Sequence, residues 1–155
     1  MLALLNQKRF APFFWAMGLG AFNDNLFKSA LAILIAYNYP PKDADLLVQL
    51  SAGLFILPFF LFSGVSGQIC DKYEKSFLMK NIKNLEIVVM TLGLVGFLLD
   101  SLSIQLTALF LMGAQSTLFG PVKYSILPQH LDEKELLSGN GLTSMGTFIF
   151  ILLGT

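Results

Sequence analysis

Four stretches of this sequence, about residues 10–37, 46–69, 77–99 and 104–120, are long and mainly apolar. Crossing the hydrocarbon core of a bilayer takes about 20 such residues as helix. Inside lipid every backbone N–H and C=O has to be satisfied by the chain itself, so runs of this length are helices rather than isolated strands. A fifth apolar stretch starts near Leu142 and reaches Thr155 after about 14 residues, short of a crossing. The pattern predicts an all-α integral membrane protein with about four and a half transmembrane helices, and a chain that is a piece of a longer one. Composition agrees: 55% of residues are hydrophobic and 13% are charged, where a soluble domain carries about a quarter.

Several functions are excluded at this level. Ten basic and ten acidic residues cancel, which is not the footprint of a nucleic-acid binder. A single Cys70 rules out an internal disulfide, and with a single His130 it rules out cysteine-cluster and multi-histidine metal sites. No nucleophile with a base and an orienting group is present, and no glycine loop that would cradle a phosphate. Neither catalysis nor ATP hydrolysis is expected of these residues, and no metal or cofactor is implied. The first apolar stretch carries Asp24 and Lys28 and lacks a small-residue cleavage pattern, so it is not a cleaved signal.

The connections are short and polar: "NYPPKDAD" (38–45), "CDKYEKS" (70–76), "DSLS" (100–103) and "PVKYSILPQHLDEKELLSGNG" (121–141). The last is the longest, and its "LDEKELL" piece suits a short interfacial helix. Basic residues orient the chain. With the N-terminus inside, Lys8, Arg9, Lys72, Lys75, Lys80, Lys83, Lys123 and Lys134 fall on the inner side and Lys42 alone on the outer. The expectation is therefore a multi-pass protein with a cytoplasmic N-terminus.

The anomaly is "GAFNDNLFKSAL" (20–31), a polar cluster halfway along the first stretch. A charge at the bilayer centre costs about 2.5–3.5 kcal/mol on insertion scales. Asp24 and Lys28 lie about 40° apart on a helical wheel, with Gly20, Ala21 and Asn25 on the same side. Acid before base by four residues is the favourable order for a helical ion pair. The stripe is either an ion pair that fixes helix packing or the lining of a substrate path. Asn23 sits about 100° away from Asp24 and suits a bond to a neighbouring helix.

Two further places carry polar groups. Between the second and third stretches, Gly64 and Gly67 with Ser63 and Ser66 would let a helix approach closely, and Gly67 and Asp71 are followed by Lys72 and Lys75. Asp71 could accept hydrogen bonds at another helix N-terminus. In the fourth stretch Gln115 is a candidate cavity residue or a helix–helix hydrogen bond, Gly120-Pro121 should end or kink the helix, and Lys123 either snorkels or meets a phosphate. Glu86 is expected to pair with Lys83 near the inner end of the third stretch.

Gly67, Asp71, Lys72 and Lys75 resemble the loop between the second and third spans of the major facilitator superfamily, with Glu74 where that motif usually has a second glycine. "GAFNDNLFKSAL", "GPVKYSILP" (120–128) and "SGNGL" (138–142) are similar to the bacterial lysophospholipid transporter branch of that superfamily. The resemblance implies twelve spans in two six-helix halves, of which this chain would be most of the first. It implies a secondary transporter of the bacterial inner membrane that moves lysophospholipid for re-acylation. Its partners would be lysophospholipid, membrane lipids and an acyltransferase in cis or in trans. Asp24, Asn25 and Lys28 would then contact the headgroup, Lys28 suiting a phosphate and Asp24 an ammonium, with Lys123 as a further headgroup contact and a gate near Asp71 and Lys72. The span-four arginine of many proton-driven members is absent. Two other readings stay open: a membrane anchor for a fused acyltransferase, and a proton-coupled exporter of drugs or small solutes.

Overall fold

The computed structural model describes the backbone of residues 2–155 and the side chains of residues 3–155. Among the described residues it is all helical: a 3-10 turn at Leu2–Asn6, then α1 (Ala11–Asn38), α2 (Pro41–Lys72), α3 (Lys75–Leu98), α4 (Leu102–Ser125), α5 (Leu127–His130) and α6 (Glu133–Gly154). The helices α2, α3, α4 and α6 are long and apolar enough to cross a membrane. At 28 residues α1 has the length. Its central Asn-Asp-Asn and Lys28 lower its hydropathy, and it is not among the four.

Local chemistry sets the boundaries. Pro41 opens α2, at the position where a missing N–H costs nothing. Glu74 caps α3: its carboxylate accepts from the backbone N–H of Ser76 at 2.9 Å and of Phe77 at 2.6 Å. The α3–α4 turn passes through Asp100, a non-glycine residue at φ 48°. At α6 the Asp132 backbone N–H donates to Glu135 at 3.2 Å, half of a capping box.

Three sequence expectations change. The Gly120-Pro121 pair does not end its helix, because α4 continues to Ser125 with Pro121 inside it. The long connection 121–141 is mostly helix, made of the end of α4, the single turn α5 and the first turns of α6. The helix that carries the fifth apolar stretch therefore starts at Glu133, ahead of Leu142, and α6 with 22 residues reaches spanning length. The segment "EKELLSGNG" (133–141), capped at Asp132, supplies the missing turns.

The contacts divide the chain into two units. The first comprises residues up to Ser29 and Lys123–Thr155. In it α6 packs against the first half of α1 through glycines. A Cβ at Gly146 would meet the Phe14 ring and Met17, and one at Gly154 would meet the Phe22 carbonyl. Phe150 stacks edge-on against Phe14 and Trp15, with centroids 6.1 and 5.8 Å away. The second unit, Ala30–Val122, holds most of α2, α3 and α4. There Gly113 lies against the Phe55 carbonyl and Pro58, Ser66 donates to the Thr117 carbonyl at 2.8 Å, and Cys70, Leu78, Ile82 and Val122 form a buried cluster. Gly64 and Gly67, expected to admit a close helix, have nothing within 4 Å of a Cβ built on them.

Candidate functional site

The polar cluster of α1 sits in the first unit, with Asn23, Asp24, Asn25 and Lys28 all half-buried. Asp24 and Lys28 stand four residues apart on α1, one turn apart on the same side of the helix. Asn25 turns its amide back along the helix and donates to the Ala21 carbonyl at 2.8 Å. It borders the Gly154 approach, where its Cβ lies 3.2 Å from a Cβ built on that glycine. The last turn of α6 is thus held against the α1 backbone beside the cluster, which fixes where these side chains stand.

Lys123, in the last turn of α4, is half-buried in the same unit. Its ammonium donates to the Thr147 hydroxyl on α6 at 3.2 Å and lies 4.8 Å from the Tyr124 ring centroid. Thr147 in turn donates to the Thr143 carbonyl at 2.7 Å and approaches the Met17 sulfur at 3.3 Å. Thr147 was not singled out in the sequence. Its signal is the Thr143–Thr147 spacing, which puts two hydroxyls on one helical face.

Also in this unit, Arg9 forks onto both carboxylate oxygens of Glu135 at 2.9 and 2.7 Å and donates to the His130 carbonyl at 3.2 Å. It ties the segment before α1 to the start of α6. The sequence used Arg9 only to orient the chain, and a contact across 126 positions leaves no local trace.

In the second unit Gln115 is buried and bonds another helix: its amide nitrogen donates to Glu86 at 3.0 Å. Glu86 also accepts from Lys83 at 2.7 Å, the expected pair. Of the loop residues, Gly67 lies in α2, and Asp71 and Lys72 in its exposed last turn. Lys72 lies 5.5 Å from the Tyr73 ring centroid. Lys75 donates to the Cys70 carbonyl at 2.7 Å, closing the free end of α2. Glu74 takes the place of the glycine in the resembling motif because here it caps α3. The backbone N–H groups of Ser76 and Phe77 hold its carboxyl below the usual carboxylate range. An apolar groove of about 590 Å³ runs along α2, lined by Phe55, Ile56, Phe59, Phe60 and Ser63.

Among characterised proteins, the chain is similar to the lysophospholipid transporter LplT of Escherichia coli O1:K1 / APEC, at 31% identity over 144 residues, covering 90% of this chain and 33% of that protein. The same figures hold for LplT of Escherichia coli strain K12 / DH10B and of Shigella boydii serotype 18. The chain spans about a third of the length of these curated relatives. No family model matches the chain, and no solved structure matches it.

Proposed function

We propose that this chain is part of a secondary transporter, of the major facilitator type, that moves lysophospholipid across the bacterial inner membrane. The observation that carries the reading is the half-buried Asp24–Asn25–Lys28 group midway along the 28-residue helix α1. Ionisable groups at that depth default to a functional role. The ammonium of Lys28 suits the phosphate of a lysophospholipid and the carboxylate of Asp24 suits an ethanolamine. The similarity to lysophospholipid transporters over 90% of the chain supports the substrate class. Because the chain spans a third of those relatives, the pathway would need further helices. Lys123, held at Thr147, is a second contact for the phosphate.

The test is uptake of labelled lysophosphatidylethanolamine into spheroplasts expressing the whole transporter that contains this chain. Asp24→Ala and Lys28→Ala, at matched expression, are expected to lose at least ten-fold in rate. Native-level uptake by both variants would reduce the group to helix packing.

A further inference from the structure

A second ionisable group lies on helices long and apolar enough to cross the membrane, and the reading above does not use it. Lys83 and Glu86 pair at 2.7 Å on α3, with side chains only 20% and 14% exposed. Lys83 stands eight residues past Lys75, about 12 Å along the helix axis, which is deeper than a flanking lysine needs to be to reach headgroups. An ion pair so little exposed is weak evidence of stability, because the cost of desolvating two charges offsets their attraction. It reads as a site by default.

The geometry of the bonds says what kind. Both donors to Glu86, Lys83 at 2.7 Å and Gln115 at 3.0 Å, use the same oxygen, Oε2. Ser116 donates to Gln115 Oε1 at 3.2 Å, which orients the Gln115 amide so that its NH₂ points at Glu86. Lys83 has three N–H groups and directs one of them to Glu86. Its ammonium also rests 4.5 Å from the Phe119 ring centroid, a face that favours cations. The pair therefore keeps donor capacity on Lys83 and acceptor capacity at Glu86 Oε1, three residues apart on one helical face.

A simple anion or cation that opened such a pair would leave the other partner buried and uncompensated, which is strongly unfavourable. A ligand carrying both signs compensates both. We propose that Lys83 and Glu86 form a second headgroup station for a zwitterionic phosphate–ammonium group, Lys83 taking the phosphate and Glu86 the ammonium, with Gln115 holding the carboxylate in place. The proposal deepens the transport reading and shares its substrate class. The same chemistry is offered by a lipid headgroup and by a free zwitterion.

The experiment measures binding by the protein in maltoside micelles, with helix content checked by circular dichroism. Native protein is titrated with lysophosphatidylethanolamine and with lysophosphatidylglycerol, which keeps the phosphate and lacks the ammonium. Glu86→Gln is expected to weaken the first by at least ten-fold and the second by less than two-fold, while Lys83→Gln weakens both. The double variant Lys83→Glu with Glu86→Lys keeps an ion pair for folding but reverses the order of charges, and it should lose the ethanolamine lipid. Unchanged affinities in both single variants, or native binding by the reversed pair, overturn the station. Competition by glycerophosphoethanolamine as strong as by the lipid identifies a free zwitterion, and competition by the acylated form alone identifies a lipid; both uphold the site. If uptake survives Asp24→Ala and Lys28→Ala while this binding holds, the station stands and the role of α1 alone is lost.

Discussion

Single side chains in this protein act mainly by closing helix ends and by compensating one another inside an apolar body. Glu74 shows how a departure from a motif acquires a reason: the carboxylate at that position satisfies two free N–H groups of α3. Its folded-state titration lies below the unfolded one. The stabilisation is therefore present above the ordinary carboxylate range and is lost as pH falls through the lowered value. Thermal unfolding in detergent should show Glu74→Gln lowering the Tm at pH 7, with the gap to native closing at acid pH; a gap independent of pH overturns the cap. The Lys83–Glu86 pair was legible from spacing alone, since residues three and four apart on a helix face each other; the same kind of spacing places Asp24 and Lys28 on one side of α1. Gln115 and Lys123 were legible only as polar residues in an apolar run. Their partners, Glu86 and Thr147, lie 29 and 24 residues away, and no local pattern names them.

At the scale of elements, close packing between helices is set by where glycines meet a neighbour. The sequence drew attention to Gly64 and Gly67 because a glycine pair is a known approach motif. Both face open space, and close approaches occur instead at Gly18 on α1, at Gly113 on α4 and at Gly139, Gly146 and Gly154 on α6. A pair of small residues states that an approach is permitted, and only a partner makes it occur. Two substitutions separate the cases. Gly154→Ala drives a methyl into the Phe22 carbonyl and should cost about 1–3 kcal/mol, as overpacking does. Gly64→Ala meets nothing and should be neutral or stabilising by up to about 1 kcal/mol through helix propensity. Chemical unfolding of both variants checks the contrast, and equal effects would refute it. The extension of α4 through Pro121 has the same lesson: a proline removes one hydrogen bond, and helices of membrane type accommodate it when neighbours are at hand.

For the molecule as a whole, the fork from Arg9 to Glu135 bears on topology. Arg9 precedes α1 and Glu135 lies in the first turn of α6, so their contact places the start of α1 and the start of α6 on one side of a membrane, with an even number of crossings between them. The helices α2, α3 and α4 give three. The fork therefore supports α1 as a fourth, despite the polar cluster that lowers its hydropathy. With the basic residues of the sequence, this predicts that Lys134 shares the inner side with Arg9 and that Lys42 faces out. In a Cys70→Ser background, Lys42→Cys should react with an impermeant maleimide in intact spheroplasts, and Lys134→Cys only after permeabilisation; the reverse pattern would invert the topology. The sequence by itself determined the class, the first four long helices, the central polar group of α1 and the Lys83–Glu86 pair, because these follow from run length and from the 3.6-residue period. Only the tertiary structure decided the start of α6, the glycines that carry close packing, the bond of Gln115 to Glu86 and the clamp of Arg9. Those depend on which distant residues arrive at the same place, and that information is spread over the whole chain.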